Sequence, residues 1–92
     1  MIITILIADD HDIIRKGLKS ILELRHEYKV IGEAQDGEDA LAKAEKLKPD
    51  VLLLDISMPK ISGLDIIEQV NRRSPATKII MVSVHKMTAY IL

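Results

Sequence analysis

Val51-Leu52-Leu53-Leu54-Asp55 is the stretch around which the rest of the chain is organised. Its four consecutive apolar residues are bounded by Pro49-Asp50 upstream and by a loop with Pro59 downstream. A short, uninterrupted apolar run of this kind predicts a strand that is buried on both faces, in the middle of a parallel sheet. Asp55 would then lie at the carboxyl end of that strand, where open α/β sheets bind ligands. Asp55 is therefore the first candidate for a chemical role.

Length and composition limit the class of protein. A chain of 92 residues has room for a single domain, residues 1–92, and its 2% of aromatic residues leaves an aliphatic core. The net charge of −1 creates no field that attracts nucleic acid or an anionic membrane. The absence of cysteine excludes disulfides and thiolate metal sites. Because Asp9-Asp10 ends the first apolar run well short of a signal peptide or a membrane span, we expect a soluble cytoplasmic protein.

Short apolar strands alternate with amphipathic helices on both sides of the central strand. Further strands are predicted at residues 2–8, 28–34 and 78–84, and helices from about residue 12, at 38–47 and at 63–73. Residues 86–92 look like the start of another helix, which would be too short to be stable alone. Strict alternation predicts a doubly wound parallel sheet with three full helices and a partial fourth. Since nothing returns to the sheet after residue 92, we expect a truncated domain.

The first helix has an apolar and a polar face, and Asp12 is its expected N-cap. The apolar face is expected to pack on the sheet and contains Ile13, Ile14, Gly17, Leu18, Ile21, Leu22 and Leu24. The polar face contains Arg15, Lys16, Lys19, Ser20 and Glu23.

Polar residues follow three of the predicted strands at the same edge of the sheet. Asp9 and Asp10 end the first strand, Asp55 ends the third, and Ser83 lies near the end of the fourth. Two carboxylates about 4 Å apart repel by on the order of 4 kcal/mol at an effective dielectric of 20, so the cluster needs a proton or a cation. Hard oxygen ligands suit Mg²⁺. The pattern favours a metal-assisted phosphoryl site in which one aspartate is the nucleophile.

Structural interpretations of the same residues remain open. Asp9 and Asp10 are also suited to capping the helix that follows, and Asp55 to starting a loop. Ser83 is also an ordinary strand hydroxyl. His11, beside the acidic pair, is interpreted as an exposed loop residue that shapes access to the site. The chemical interpretation is favoured because Asp9, Asp10 and Asp55 all follow predicted strands at the same edge of the sheet.

The chain resembles the receiver domain of bacterial two-component response regulators along all 92 residues. The resemblance rests on the acidic pair after strand one, Asp55 after an apolar strand three, Met58-Pro59 with Gly63, and Ser83 after strand four. Ala8-Asp9-Asp10-His11, followed by Arg15, Gly17 and Leu18, is similar to the subgroup that precedes a DNA-binding helix-turn-helix domain of the NarL and LuxR kind. The resemblance implies a flavodoxin-like sheet of order 2-1-3-4, with the fifth strand of the family missing.

The resemblance also implies a role for each site residue. Asp55 would accept a phosphoryl group from a sensor histidine kinase. Asp10 would ligate Mg²⁺ directly, Asp9 would act mainly through water, and Ser57 would contribute its backbone carbonyl. Ser83 would be the switch hydroxyl that turns toward the phosphoryl group. The module would be a phosphoprotein that catalyses only its own phosphorylation and dephosphorylation, and DNA would be bound through an output domain outside this chain.

The end of the chain departs from the family pattern, because the fifth strand with its lysine and aromatic switch residue has no counterpart. We expect Mg²⁺ still to bind weakly at Asp9, Asp10 and Asp55, whereas the missing lysine predicts that stable phosphorylation and switching are impaired. An interaction module without chemistry is therefore one alternative, and a phosphohydrolase is another, although no glycine-rich phosphate loop is present. The missing strand would also leave residues 78–84 as an open edge, which predicts a homo-oligomer formed through that edge.

Overall fold

The fold is built on a sheet whose strands match the predicted alternation. The computed structural model describes residues 1–55, 63–83 and 88–91. Within these ranges the strands are β1 (Ile3–Ala8), β2 (Tyr28–Ala34), β3 (Val51–Asp55), β4 (Lys78–Ser83) and β5 (Thr88–Ile91). Their order is β2-β1-β3-β4-β5; the first four are parallel, and β5 is antiparallel to β4. The predicted parallel sheet of order 2-1-3-4 is confirmed.

Three helices connect the parallel strands in the described part of the chain: α1 (Asp12–Leu22), α2 (Gly37–Leu47) and α3 (Gly63–Arg73). Helices α2 and α3 share one hydrophobic cluster with the sheet, to which β1 contributes Leu6 and Ala8. The alternate β1 residues Ile5 and Ile7 are also buried, and they point to the other face. Right-handed crossovers in this strand order place α1 on that second face, so helices cover both sides of the sheet.

A reciprocal set of hydrogen bonds joins Thr4 near the start of β1 to Asp50, directly before β3. The Asp50 carboxylate accepts from the Thr4 backbone N–H at 2.8 Å and from its hydroxyl at 3.0 Å. The Asp50 backbone N–H donates back to the Thr4 hydroxyl oxygen at 2.9 Å. These bonds, from the Thr4 backbone first and its side chain second, lower the pKa of Asp50 below its ordinary value.

The Thr4–Asp50 hydrogen bonds predict a pH-dependent effect of Asp50→Asn. A carboxyl group whose pKa is lower in the folded chain adds stability above its unfolded pKa of about 3.9 and loses it as the pH falls further. We therefore expect Asp50→Asn to lower the urea midpoint at pH 7 and the deficit to shrink as the pH falls below about 4. Urea unfolding at neutral and acidic pH measures it, with Thr4→Val removing the two bonds of the Thr4 hydroxyl while keeping the bond from its backbone N–H. A deficit that stays constant with pH would contradict the assignment.

The end of the chain differs from the prediction. A partial fourth helix and a missing fifth strand were expected, whereas Thr88–Ile91 forms β5 and pairs with β4 from Ile80↔Ile91 to Ser83↔Thr88. A seven-residue helix is too short to be stable, while the edge of β4 offers unpaired backbone groups that a strand can satisfy. Thr, Tyr and Ile also favour extended structure. The predicted open edge of β4 is therefore wrong from Ile80 to Ser83, because β5 pairs with β4 there, and the homo-oligomer itself stays a prediction.

The burial of β3 and α1 also departs from the prediction. In β3, Leu52 and Leu54 are buried, but Val51 and Leu53 on the α1 side are only half-buried, so the strand is not fully covered on both faces. In α1, Ile13 is 85% exposed and no residue is fully buried. The N-cap of α1 is His11, and Asp12 lies in the first turn instead. Amphipathic spacing identified the helix correctly, but it did not identify the residues that contact the sheet.

Candidate functional site

Two strand ends bring the predicted acidic residues together. In the β1–β3 pairing Ala8 lies opposite Leu54, so Asp9, the residue after β1, comes level with Asp55 at the carboxyl edge of the sheet. Asp10 and His11 continue the same loop into α1. One ligand atom from each of Asp9, Asp10, His11 and Asp55 lies within 4.8 Å of all the others. The structure therefore places the three predicted aspartates in one cluster and adds His11.

The carboxylates differ in their exposure to solvent. Asp9 and Asp55 are buried, at 1% and 7% exposure, while the Asp10 side chain is 33% exposed. Asp9 is held from both sides, because its backbone N–H donates to the Ala34 carbonyl at 3.0 Å and its Oδ1 accepts from the His11 backbone N–H at 2.8 Å. The cluster is thus a shallow site with two buried carboxylates beneath a more exposed one.

His11 contacts two of the three aspartates. Its Nδ1 lies 2.9 Å from Asp9 Oδ1 and 2.9 Å from Asp10 Oδ1. The hydrogen bond to Asp9, followed by the charge of Asp10, raises the pKa of His11 above its ordinary value. The carboxylates therefore favour a cation at this position. The interpretation of His11 as a loop residue that only shapes access missed this contact, although its place directly after two acids was a signal for it.

Arg15 is a second residue that the sequence did not assign to the site. Its Nη1 donates to the backbone carbonyl of Asp9 at 2.5 Å, its Nη2 pairs with Asp12, and its Nε lies 3.3 Å from Glu33 Oε1. The Arg15 side chain is only 12% exposed. The spacing of Asp12 and Arg15, three residues apart on a helix, predicts their ion pair, but the Asp9 and Glu33 contacts depend on how α1 docks.

The donor set fits a magnesium ion. Three carboxylates and one imidazole converge, and the buried Asp9 is preorganised by hydrogen bonds with the Ala34 carbonyl and the His11 backbone N–H. Mg²⁺ prefers oxygen ligands and uses one or two carboxylates while keeping several waters, which the exposure of Asp10 allows. The same carboxylates raise the pKa of His11, which is consistent with a site that favours positive charge. In such a site Asp9, Asp10 and Asp55 would hold the ion.

The structure describes the backbone of one of the two predicted site serines, Ser83, but not the other, Ser57. Ser83 is the last residue of β4, one position beyond Val82, which lies opposite Asp55. Its backbone is therefore at the same edge of the sheet as the acidic cluster, while its side chain is outside the described part of the structure. Ser57, whose backbone carbonyl was predicted to ligate the metal, also lies outside the described residues.

Comparison with known proteins gives a consistent result. Residues 5–92 match the family model of the response regulator receiver domain. The chain is 39% identical over 89 residues to the transcriptional regulatory protein DegU of Brevibacillus brevis, covering 97% of this chain and 38% of DegU. It is 38% identical over 81 residues to the nitrate/nitrite response regulator protein NarL of Escherichia coli K12, covering 88% of this chain and 38% of NarL.

A solved structure of a third regulator is also similar. It is RcsB from Salmonella enterica serovar Typhimurium, bound to promoter rprA in the presence of phosphomimetic BeF₃⁻. RcsB superposes with a TM-score of 0.82 at 31% identity, covering 90% of this chain and 43% of RcsB. The chain therefore spans less than half the length of these three regulators.

Proposed function

Since the chain belongs to the response regulator receiver domain family, with relatives of the NarL and LuxR type, we propose that Asp55 is its phosphoacceptor. We propose further that Asp9, Asp10 and Asp55 hold the Mg²⁺ that assists phosphoryl transfer. The observation that carries both proposals is the convergence of the three carboxylates, with Asp55 at the end of β3. Receiver domains are signalling modules rather than enzymes that turn over an external substrate.

The proposed step is a displacement at phosphorus. A carboxylate oxygen of Asp55 forms a bond to phosphorus, while the bond from phosphorus to the donor's leaving atom breaks and the electron pair departs with the donor. The donor is a phosphohistidine of a sensor kinase or a small acyl phosphate. When bound, Mg²⁺ neutralises charge on the transferred group. Asp9 and Asp10 would hold the metal ion beside Asp55, and His11 lies next to both of them at the side of the site.

Ser83 and Ser57 complete the proposed site. The position of Ser83, one residue beyond the β4 partner of Asp55, supports its role as the hydroxyl that responds to phosphorylation. The assignment of the Ser57 backbone carbonyl as a metal ligand rests on the resemblance to the family. A new dianionic group at Asp55 would offer an acceptor to the Ser83 hydroxyl, and that hydrogen bond would shift the end of β4.

The proposal also covers the output that the receiver domain controls, its phosphoryl donor and its location in the cell. DegU is named a transcriptional regulatory protein, and RcsB is seen on a promoter, which supports control of transcription through a separate DNA-binding domain. A sensor histidine kinase is the proposed phosphoryl donor, and the cytoplasm is the proposed location. None of the helices in the described ranges is long and apolar enough to cross a membrane.

The phosphoacceptor proposal is tested with acetyl phosphate and Mg²⁺. We expect the intact mass of the chain to increase by one phosphoryl group at early times. The increase should disappear with EDTA and after treatment with hydroxylamine, which cleaves acyl phosphates but not serine phosphates. Asp55→Asn should show no increase. The matched control is Asp50→Asn, which makes the same change at the other end of β3, away from the cluster, and should be phosphorylated like the wild type.

The outcomes separate the candidate functions. Phosphorylation of Asp55→Asn to the same extent as the wild type would show that another residue is the acceptor. An unmodified wild type would favour an interaction module without chemistry. Sustained release of phosphate from a phosphomonoester, which a receiver domain does not use as a phosphoryl donor, would favour a phosphohydrolase.

A further inference from the structure

Arg15 is a nearly buried cation beside the acidic cluster. Its side chain is 12% exposed although it is on the face of α1 that the sequence marks as polar. Charged side chains are rarely buried to this extent unless they are paired. Here the guanidinium contacts groups on three separate parts of the chain: the Asp9 carbonyl in the loop after β1, Asp12 in α1 and Glu33 in β2.

The contact with Asp9 concerns the backbone of a metal-ligand residue. Arg15 Nη1 donates to the Asp9 carbonyl at 2.5 Å, which fixes the peptide that joins Asp9 to Asp10. Glu33 Oε1 lies 3.3 Å from Arg15 Nε and anchors the guanidinium from β2. The Glu33 backbone carbonyl in turn accepts from Lys43 of α2. A planar guanidinium can serve several acceptors at once in a fixed geometry, whereas a lysine ammonium offers no such fork.

We propose that Arg15 is a positioning residue for the metal ligands Asp9 and Asp10. The inference rests on the proposed Mg²⁺ site and extends it to a residue that contacts neither the ion nor the phosphoryl group. By holding the Asp9–Asp10 peptide against Glu33 and α1, Arg15 keeps both carboxylates directed at Asp55. Groups that orient metal ligands in this way typically change metal affinity by about 10- to 100-fold when removed.

If Arg15 acted only through its charge, its removal would change the affinity for Mg²⁺ in the opposite direction. Arg15 is positive and close to the cluster, so its removal should strengthen the attraction of the site for Mg²⁺ if charge alone mattered. Positioning predicts weaker binding after the same substitution. The sign of the change in affinity therefore distinguishes the two roles.

The test is a Mg²⁺ titration of the folded chain, followed through the backbone amide resonances of Asp9, Asp10 and Asp55. We expect Arg15→Ala to raise the Kd for Mg²⁺ about tenfold and Arg15→Lys to raise it similarly, because lysine keeps the charge without the fork. Glu33→Gln, which removes only the anchor, should have a smaller effect in the same direction. The matched control is Arg25→Ala, which removes the same charge beyond the far end of α1, where Arg25 pairs with Glu27, and should leave the Kd unchanged.

A second readout needs no metal. The His11 backbone N–H donates to Asp9 Oδ1 at 2.8 Å, so loss of positioning should speed hydrogen exchange of this amide in metal-free buffer. The Asp39 amide, which donates to Asp36 at the start of α2, is the internal reference and should keep its rate. A role of Arg15 in global stability alone would change both amides together and leave the Kd of the folded protein unaltered.

The results separate this inference from the proposed function. Weaker Mg²⁺ binding with faster His11 exchange supports the positioning role. An unchanged or tighter Kd in Arg15→Ala overturns it while leaving the Mg²⁺ site intact. If Arg15→Ala does not fold, Arg15→Lys and Glu33→Gln decide in the same way. A wild type that shows no saturable Mg²⁺ binding overturns the metal site itself, and the positioning role with it.

Discussion

Asp55→Asn is expected to be more stable than the wild type in metal-free buffer. One carboxylate oxygen from each of Asp9, Asp10 and Asp55 lies within 4.8 Å of the others, and Asp55 is only 7% exposed, so solvent screens their repulsion weakly. Two unit charges at about 4 Å repel by roughly 4 kcal/mol at an effective dielectric of 20. Partial compensation by His11 reduces the expected gain in the free energy of unfolding to on the order of 1–3 kcal/mol.

Magnesium should narrow or reverse this difference in stability between the wild type and Asp55→Asn. A ligand that binds only the folded state adds about 2.7 kcal/mol at a concentration of 100 times its Kd. The wild type should show this gain, and Asp55→Asn should lose most of it because one of the three carboxylates is gone. Urea unfolding with and without Mg²⁺ measures both effects.

Asp50→Asn serves as the control for both effects. It should be less stable than the wild type at neutral pH yet keep the full response to Mg²⁺, because Asp50 lies away from the cluster. If Asp55→Asn were destabilised in metal-free buffer and still responded to Mg²⁺ like the wild type, the charge cluster would not be a cation site.

Ile66→Ala and Ile13→Ala make the same chemical change in two amphipathic helices and should differ strongly in stability. Ile66 of α3 is 2% exposed and belongs to the main hydrophobic cluster, whereas Ile13 of α1 is 85% exposed. Removing the buried side chain should cost about 2–5 kcal/mol, a large share of the roughly 5–15 kcal/mol that a small domain has. The exposed substitution should change stability by less than about 0.5 kcal/mol.

Equilibrium unfolding in urea checks this pair, with the helix propensity of alanine contributing equally to both variants. Similar losses for the two substitutions would mean that α1 is packed more closely than its exposure indicates. A negligible loss at Ile66 would contradict the placement of α3 on the sheet.

Most of the scaffold could be predicted because its signals are local. The β-branched residues of 2–8 and the apolar run of β3 favour strands through contacts within a few residues, and helical spacing marks α2 and α3. Once the strands are parallel, their carboxyl ends must share one edge, which is why the convergence of Asp9, Asp10 and Asp55 followed from their positions alone.

Other features could not be predicted because they depend on partners distant in sequence. Ile13 belongs to an apolar stripe, yet the way α1 docks leaves it in solvent, while Arg15 from the polar face is turned toward Asp9 and Glu33. The segment 88–91 has too few residues to form a stable helix, and the β4 edge decides that it becomes a strand.

The sequence by itself determined the layered α/β fold and the identity of the acidic cluster, since both follow from hydrophobic periodicity and the geometry of parallel sheets, and the resemblance to the receiver family implied the strand order. The tertiary structure alone decided how the cluster is held: His11 between Asp9 and Asp10, and Arg15 on the Asp9 carbonyl with Glu33 behind it. The physical reason is that periodicity indicates whether a residue tends to be buried, whereas the partner of a buried charge is set by how the helices and strands dock.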